Sequence, residues 1–472
     1  MIKTSSPKSW SKAISTTAEE FPLTPLPILS GTIPESFRGT LYRNGPGRLE
    51  RGGTRVGHWF DGDGAILGVH FTNDGASAVY RYVQTEGYQE ETKANQYIYP
   101  NYGMTVPGAF WKSWGKTYKN CANTSVLAFS DRLLALWEGG YPHALDLQTL
   151  ETFGTDDLGG LTTGDAFSAH PKIDPLTGEI YNFGVVAGKD TQLKLYRCDR
   201  HGKILQQRST TLQGLPLIHD FVIAGEYIIF FISPLRVNLF FALSGLKSVG
   251  DAFEWKPDLG TQVLIFDRQT LNLITQNTID SWFQWHFTNG YVENDGTIVV
   301  ECVRYQDFLT NQFLKEVVTG ETHTLAEGKL TQIRLNPKTG KLIDTNVLSE
   351  QGCEFPIIPS YQVGKQHQVT YLLVYSKDVD NRGEILGIPA KFDHKTQTLS
   401  VANLEKNYYA SEPIFVSHDE QGWIITVVYD GNEHRSEVQI YNSEHLENDP
   451  ICRLGLPSVI PPGFHGTWQS AR

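Results

Sequence analysis

Metal-ligating side chains in this sequence are fourteen histidines and five cysteines, and their surroundings sort them. Cys121, Cys198, Cys302, Cys353 and Cys452 lie far apart and never form a C-x-x-C pair. That speaks against a disulfide framework or a thiolate zinc site and fits a reducing compartment. A metal site here is therefore expected to be built from imidazole. His201, His323, His367, His394, His418, His434 and His445 stand among charged or turn residues and are expected at the surface. His170 (AFSAHPKI), His219 (LPLIHDFVIA), His286 (WFQWHFTNGY) and His465 (PPGFHGTW) sit in apolar or aromatic runs. So do His58, His70 and His143, and context alone does not select four. A cysteine-free imidazole set suits iron, copper, nickel or zinc. Metal-bound imidazoles usually pass their second N–H to a carboxylate. Glu138 (LALWEGGYP), Glu354 (GCEFPII) and Glu412 (ASEPIFV) are the candidates, because a carboxylate in an apolar run is costly without a partner. The competing reading for each is an ordinary core histidine or a strand-end glutamate facing water.

Such residues need a scaffold that brings distant segments to one point. Aromatic residues make up 12% of the chain, and 44 Gly with 23 Pro indicate many turns, so strands are expected to dominate. A weak repeat joins two apolar runs through Asp or Asn and a turn. It recurs at Ala144–Phe153, Lys172–Phe183, Tyr196–Leu205, Ile265–Ile274, Arg334–Ile343 and Lys391–Ser400. Each copy reads as a β-hairpin. A series of like hairpins suggests propeller blades closed in a ring, with a double sandwich as the alternative. Helices are expected to be short, at Pro7–Ala18 and Pro107–Lys119. No linker or low-complexity tract divides the sequence, so 1–472 reads as one domain with 1–30 as an N-terminal arm. In the propeller, innermost strands of successive blades would direct histidines to the axis.

The net charge of −12 and the lack of a Lys/Arg cluster disfavour nucleic acid as a partner. The start, MIKTSSPKSWSKAIS, lacks an apolar run of signal-peptide length, and a cytoplasmic location is expected. Tyr227–Leu246 is the most apolar stretch, but Pro234, Arg236 and Asn238 interrupt it. A central arginine costs about 2.5 kcal/mol or more in a spanning helix. The stretch reads instead as a buried strand, Tyr227–Ile232, followed by an exposed apolar loop or short helix.

With these residues in place, the sequence resembles the carotenoid cleavage oxygenase family, and within it the bacterial, cyanobacterial-type apocarotenoid oxygenases. The likeness begins at GTLYRNGPGRLE (Gly39–Glu50) and HWFDGDGAIL (His58–Leu67) and runs through CANTSVLAFSDRLLALWEGGYPHALD (Cys121–Asp146). It continues through SAHPKID, IHDFVI, the H-x-x-N of His286–Asn289, CEFP, SEPIFV, HRSE (His434–Glu437) and HGTW. No one motif decides it; the set, in family order over nearly the whole chain, does.

The resemblance implies a seven-bladed, all-β propeller with short helices and loops capping one face. It implies one Fe(II) per chain on His170, His219, His286 and His465, backed by Glu138, Glu354 and Glu412, with His170 left without a carboxylate. Thr124 matches the threonine whose methyl screens an open coordination position. Ala65 replaces the usual Met after DGDG, Leu217 stands where an aromatic residue is common, and Phe-Thr-Asn-Gly follows His286. The implied reaction is cleavage of one C=C bond of a carotenoid or apocarotenoid polyene by O2, giving two carbonyl products without a reductant. Retinal-like aldehydes from a 15,15′ cut are the expected products. The protein's part is to position the polyene and exclude water. Trp137, Leu217, Trp285, Phe355 and Phe464 are candidate tunnel residues.

A calcium-dependent propeller hydrolase would instead need carboxylate and amide oxygens. A stilbene-cleaving relative typically carries a lysine where this chain has Trp137. A monomer is expected, touching membranes peripherally through an apolar patch at 234–246.

Overall fold

The structure is a computed structural model, and it describes residues 8–376, 379–419 and 421–471. Seven antiparallel sheets follow one another along the chain and form the seven blades of a propeller. Five of them lie within Ser125–Thr155, Lys172–Leu212, Val222–Ile279, Phe283–Val347 and Cys353–Val401, built from successive strands except that the third is interrupted by a separate pair, Leu235–Val237 with Phe253–Trp255. The sixth holds Tyr408–Ala410, Ile414–His418, Gln421–Asp430, Arg435–Asn442 and Cys452–Gly455, with Ile28–Gly31 added at its edge. The remaining blade mixes both ends of the chain. Gly39–Arg48 lies between Asp63–Thr72 and Gly466–Ser470, and Phe21–Pro25 pairs with Gly75–Tyr82 at the edge. Ring closure thus comes from pairing Gly39–Arg43 with Ser470–Gly466.

All six repeat segments are hairpins as expected. Their local cause is the Asp or Asn that opens each turn. Asp146 accepts from the amides of Gln148 and Thr149, Asp174 from Leu176 and Thr177, and Asp393 from Lys395 and Thr396. Four residues after the Asx the backbone turns left-handed, at Leu150, Gly178, Leu271, Gly340 and Gln397. The side-chain bonds enforce that geometry even where no glycine is present.

Apolar residues of neighbouring blades interleave, as where Phe183, Phe221, Phe230 and Phe266 pack between the Lys172–Leu212 and Val222–Ile279 sheets. The helical expectations need correction. Ser9–Ile14 and Phe110–Ser113 are short 3-10 turns, and Pro7 lies outside the described residues. Among the described residues the α-helices are Glu86–Ala94, Leu239–Ser244 and Leu309–Val317. The last buries Thr310, Phe313 and Val317, a seven-residue amphipathic spacing too short to stand out in a strand-rich sequence.

Candidate metal centre

Four of the blades present a histidine at or just before the start of their innermost strand. His170 precedes Lys172–Ile173, His219 precedes Val222–Ala224, His286 lies in Phe283–Val292, and His465 precedes Gly466–Ser470. Their Nε2 atoms converge: 3.0 Å from His170 to His219, 3.2 Å from His219 to His286, and 3.1 Å from His286 to His465. All four ligand atoms fall within 4.8 Å of one another.

The three glutamates stand behind the rings, each in a different way. Glu354 Oε2 lies 2.5 Å from His286 Nδ1, and its other oxygen accepts from the Tyr305 hydroxyl at 3.1 Å. Glu412 Oε1 accepts from His465 Nδ1 at 2.8 Å, and Oε2 from the Gly466 amide at 2.8 Å. Glu138 stands in ion-pair contact with His219 Nδ1 without an aligned hydrogen bond, and is 29% exposed. His170 has no carboxylate partner among the described residues.

These bonds decide what the cluster can hold. A neutral imidazole that donates Nδ1–H carries a lone pair on Nε2. Lone pairs pointed at each other across about 3 Å repel unless a cation lies between them. Nitrogens about 2.1 Å from one ion stand about 3.0 Å apart at a right angle and about 3.4 Å apart at the tetrahedral angle. The observed 3.0–3.2 Å spacings fit a metal with near-right-angle neighbours, which leaves coordination room for other ligands. The residues present therefore fit a metal ion. Protonation is opposed at two of the rings and favoured at a third. Burial, then the adjacent imidazoles of His219, His465 and His286, hold His170 well below the usual histidine range. Burial also lowers His465, although Glu412 works against it. For His286, burial pulls downward but the Glu354 carboxylate outweighs it and leaves the group raised.

A clasp joins the ends of the chain beside this cluster. Arg43, buried, donates to the carbonyls of Glu412 (2.6 Å) and Phe464 (3.0 Å) and lies 3.9 Å from the Glu412 carboxylate. Next to it, Asn44 donates to the carbonyls of Ala122 and Ser125, on either side of Thr124. The approach requires glycine: a Cβ on Gly45 would stand 2.5 Å from the Gly463 Cα. Burial lowers the Arg43 guanidinium to about 10, partly offset by Glu412, so it stays charged at neutral pH.

A cavity of about 410 Å³ opens onto the cluster. His219, His286 and His465 border it, together with Thr124, Glu138 and Glu354. All five expected tunnel residues, Trp137, Leu217, Trp285, Phe355 and Phe464, line it too. The ring of Phe355 stacks on His286 at 5.4 Å, and its backbone is left-handed at φ 55°, a strained setting for a bulky residue. Sequence reasoning missed Phe60, Tyr102, Phe253 and Phe313, which line the cavity from loops, short helices and the short strand Phe253–Trp255. It also missed Arg43 and Asp220, although for Asp220 a charge inside an apolar run directly after a candidate ligand is a usable signal.

Two expectations about individual side chains are corrected. His367 is buried and His394 half-buried, because their Nε2 atoms face Glu301, itself 1% exposed. Thr370 sits between them, donating to Glu301 Oε1 at 2.6 Å and lying 3.3 Å and 3.2 Å from the two Nε2 atoms. In the apolar stretch, Leu235–Val237 is not exposed: it is a buried strand paired with Phe253–Trp255. Arg236 is turned inward, donating to the carbonyls of Gln213, Ser233 and Leu235. The exposed part is the helix beyond, with Leu239, Phe240 and Leu243, and Leu246 just after it. It is enlarged by Phe110, Trp111 and Trp114, which the Trp114 indole ties to the Ser244 carbonyl. Among the described residues no helix is long and apolar enough to cross a membrane.

Comparison with known proteins adds the following. The family described as retinal pigment epithelial membrane protein matches residues 14–470. An apocarotenoid-15,15′-oxygenase of Synechocystis sp. is 32% identical over 478 residues, covering 98% of this chain and 96% of that protein. An isoeugenol monooxygenase of Pseudomonas putida is 28% identical, with 94% of each covered. The crystal structure of cobalt-substituted Synechocystis apocarotenoid oxygenase superposes with a TM-score of 0.88 at 30% identity, covering 99% of each chain.

Proposed function

The chain belongs to the retinal pigment epithelial membrane protein family of carotenoid oxygenases, and we propose that it is an Fe(II)-dependent dioxygenase cleaving one C=C bond of a carotenoid or apocarotenoid. The observation that carries this reading is the four converging Nε2 atoms, three of whose rings border an apolar cavity. On this reading 1–472 acts as one catalytic domain, with His170, His219, His286 and His465 as the ligands. Iron bound there supplies the open-shell chemistry that lets O2 react with a closed-shell polyene.

The remaining work falls to the chain. Trp137, Leu217, Trp285, Phe355 and Phe464 hold the polyene flat and exclude water, and Phe355, stacked on His286, sets how close it comes to the metal ligands. Thr124 commits its hydroxyl to Asn123 (3.2 Å), and we assign its methyl to screening one side of the centre. Glu138, Glu354 and Glu412 orient three imidazoles and offset a dication. No acid or base is required, because C=C and O2 together balance two carbonyl groups. The 15,15′ bond, given in the name of the Synechocystis relative, is taken for this chain. A free phenol would meet Trp137 where a lysine would be needed, so a stilbene is the less suitable substrate.

Turnover of β-apocarotenals under 18O2, with rapid trapping of the aldehydes, should label both products. A label in one product alone, after correction for exchange with water, would overturn the dioxygenase reading in favour of monooxygenase chemistry.

Peripheral membrane contact is part of the same proposal. Val237 lines the cavity and the exposed helix Leu239–Ser244 follows it, so the patch adjoins the cavity rim. Each large apolar side chain buried in lipid contributes about 1.5–3 kcal/mol, and a few of them give reversible attachment. Phe240→Ser/Leu243→Ser should lower liposome co-sedimentation and slow cleavage of liposome-embedded substrate. Activity on detergent-dispersed substrate and Tm should hold; a large fall in Tm would instead mark these residues as core.

A further inference from the structure

His170 is the ligand with no carboxylate behind it, yet its segment is tied down by another route. Asp220, adjacent to His219, is 3% exposed and uses both carboxylate oxygens. Oδ2 accepts from the amide of Phe287, the residue after His286, at 2.9 Å. Oδ1 accepts from its own neighbour Phe221 at 2.8 Å and stands in ion-pair contact with Lys172 Nζ at 2.8 Å. Lys172 lies two residues beyond His170, and its ammonium stands 5.9 Å from the centre of the Phe221 ring. One buried carboxylate therefore joins the segments bearing His170, His219 and His286, on the side of the site where Glu138 gives the weakest support.

We infer that Asp220, bridged by Lys172, is the positioning residue that sets His170 and aligns it with His219 and His286, in place of a fourth carboxylate behind the rings. The cause is geometric. The Phe287 amide bonds one oxygen of the Asp220 carboxylate and the Lys172 ammonium pairs with the other. Those contacts fix the spacing between three blades at the depth of the Nε2 atoms. Charge supports it: a buried carboxylate left alone is costly, so Lys172 and Asp220 hold each other in place. Neither side chain touches the cavity, so the effect reaches the reaction through the ligands alone.

This inference rests on the four-histidine metal site, and its test separates the two. Metal-depleted full-length protein is titrated with Co(II) alone, and affinity, the visible spectrum and the metal-free Tm are read together. Asp220→Asn and Lys172→Met should each weaken Co(II) binding about 10–100-fold, the usual range for groups behind the ligands. Both should shift the Co(II) bands. The double variant should be no weaker than Asp220→Asn, and Lys172→Arg should restore binding. Lower Tm with unchanged affinity and spectrum would make the pair structural and overturn the inference. If Asp220→Asn fails to fold, Lys172→Met, at a side chain 21% exposed, decides alone. Wild-type protein that takes up no Co(II), or a His219→Ala variant that takes up as much, would overturn the metal site itself.

Discussion

Two buried groups in this molecule combine histidine with glutamate, and they differ in what stands between the rings. On the axis, carboxylates take the Nδ1 side of His286 and His465, and the Nε2 atoms meet each other with no protein atom offered to them. Around Glu301 the arrangement is reversed. Asn289 faces His367 Nδ1 at 3.2 Å, while both Nε2 atoms face the Thr370 hydroxyl and the carboxylate. That hydroxyl can accept two N–H bonds while it donates one, so both Nε2 atoms have a protein partner. A cluster of ligand-type residues is thus a metal site or a hydrogen-bonded node according to where its lone pairs point.

The sharpest way to break that distinction is to remove one ring from each group. His219→Ala should lose bound iron and all turnover, while His367→Ala should keep one iron per chain and normal product formation. Metal analysis showing a loss in the second variant would turn the Glu301 group into a metal site. A smaller effect is expected behind the rings. Glu354→Gln should weaken iron binding or activity about 10–100-fold with the fold intact, since the amide still accepts a bond but no longer offsets charge. Smaller again is Thr370→Val, which deprives Glu301 of its donor. It should cost about 1–3 kcal/mol in denaturant unfolding and leave iron content unchanged.

Acid should separate the groups as well. Imidazoles bind metal only when neutral, so acid should drive the axial ion out, beginning at His286, where the Glu354 carboxylate favours protonation. Burial pushes the Glu301 carboxyl up, but its bonds to His367 and His394 prevail and hold it well below its ordinary range. A carboxylate depressed on folding contributes stability above its unfolded pKa, and that contribution is lost only as pH falls through the lower folded value. Iron release monitored against unfolding should therefore come first.

Much of this was legible in the chain because hairpin turns are local. An Asx, two or three amides and a left-handed residue fall within five positions, so six hairpins and the blade pattern could be read directly. Context narrowed the ligands no further than seven histidines in apolar settings, and the family likeness was needed to choose four. His58 shows why: it is as buried as any ligand, yet its Nδ1 caps the turn at Phe60 and its Nε2 faces the Asn311 carbonyl. What stayed illegible was long-range. His367 has polar neighbours in sequence, and Glu301, the group that buries it, lies 66 residues earlier. Arg236 was expected at a surface for the same reason; the carbonyl of Gln213 that holds it belongs to a separate loop.

The seam that closes the ring has a direction. Gly39 faces Ser470 and Arg43 faces Gly466, so the outer ends of both strands lie at the same edge. A tensile load applied before Gly39 and after Ser470 would peel the pairs apart one at a time, the geometry in which hydrogen bonds resist force least. The peel runs inward and stops at Arg43, His465 and Glu412, where the guanidinium, two carbonyls and the axial histidine meet. A zipper that opens easily thus ends on its strongest rivet, and an ion held by His465 would set the force at which the ring gives way.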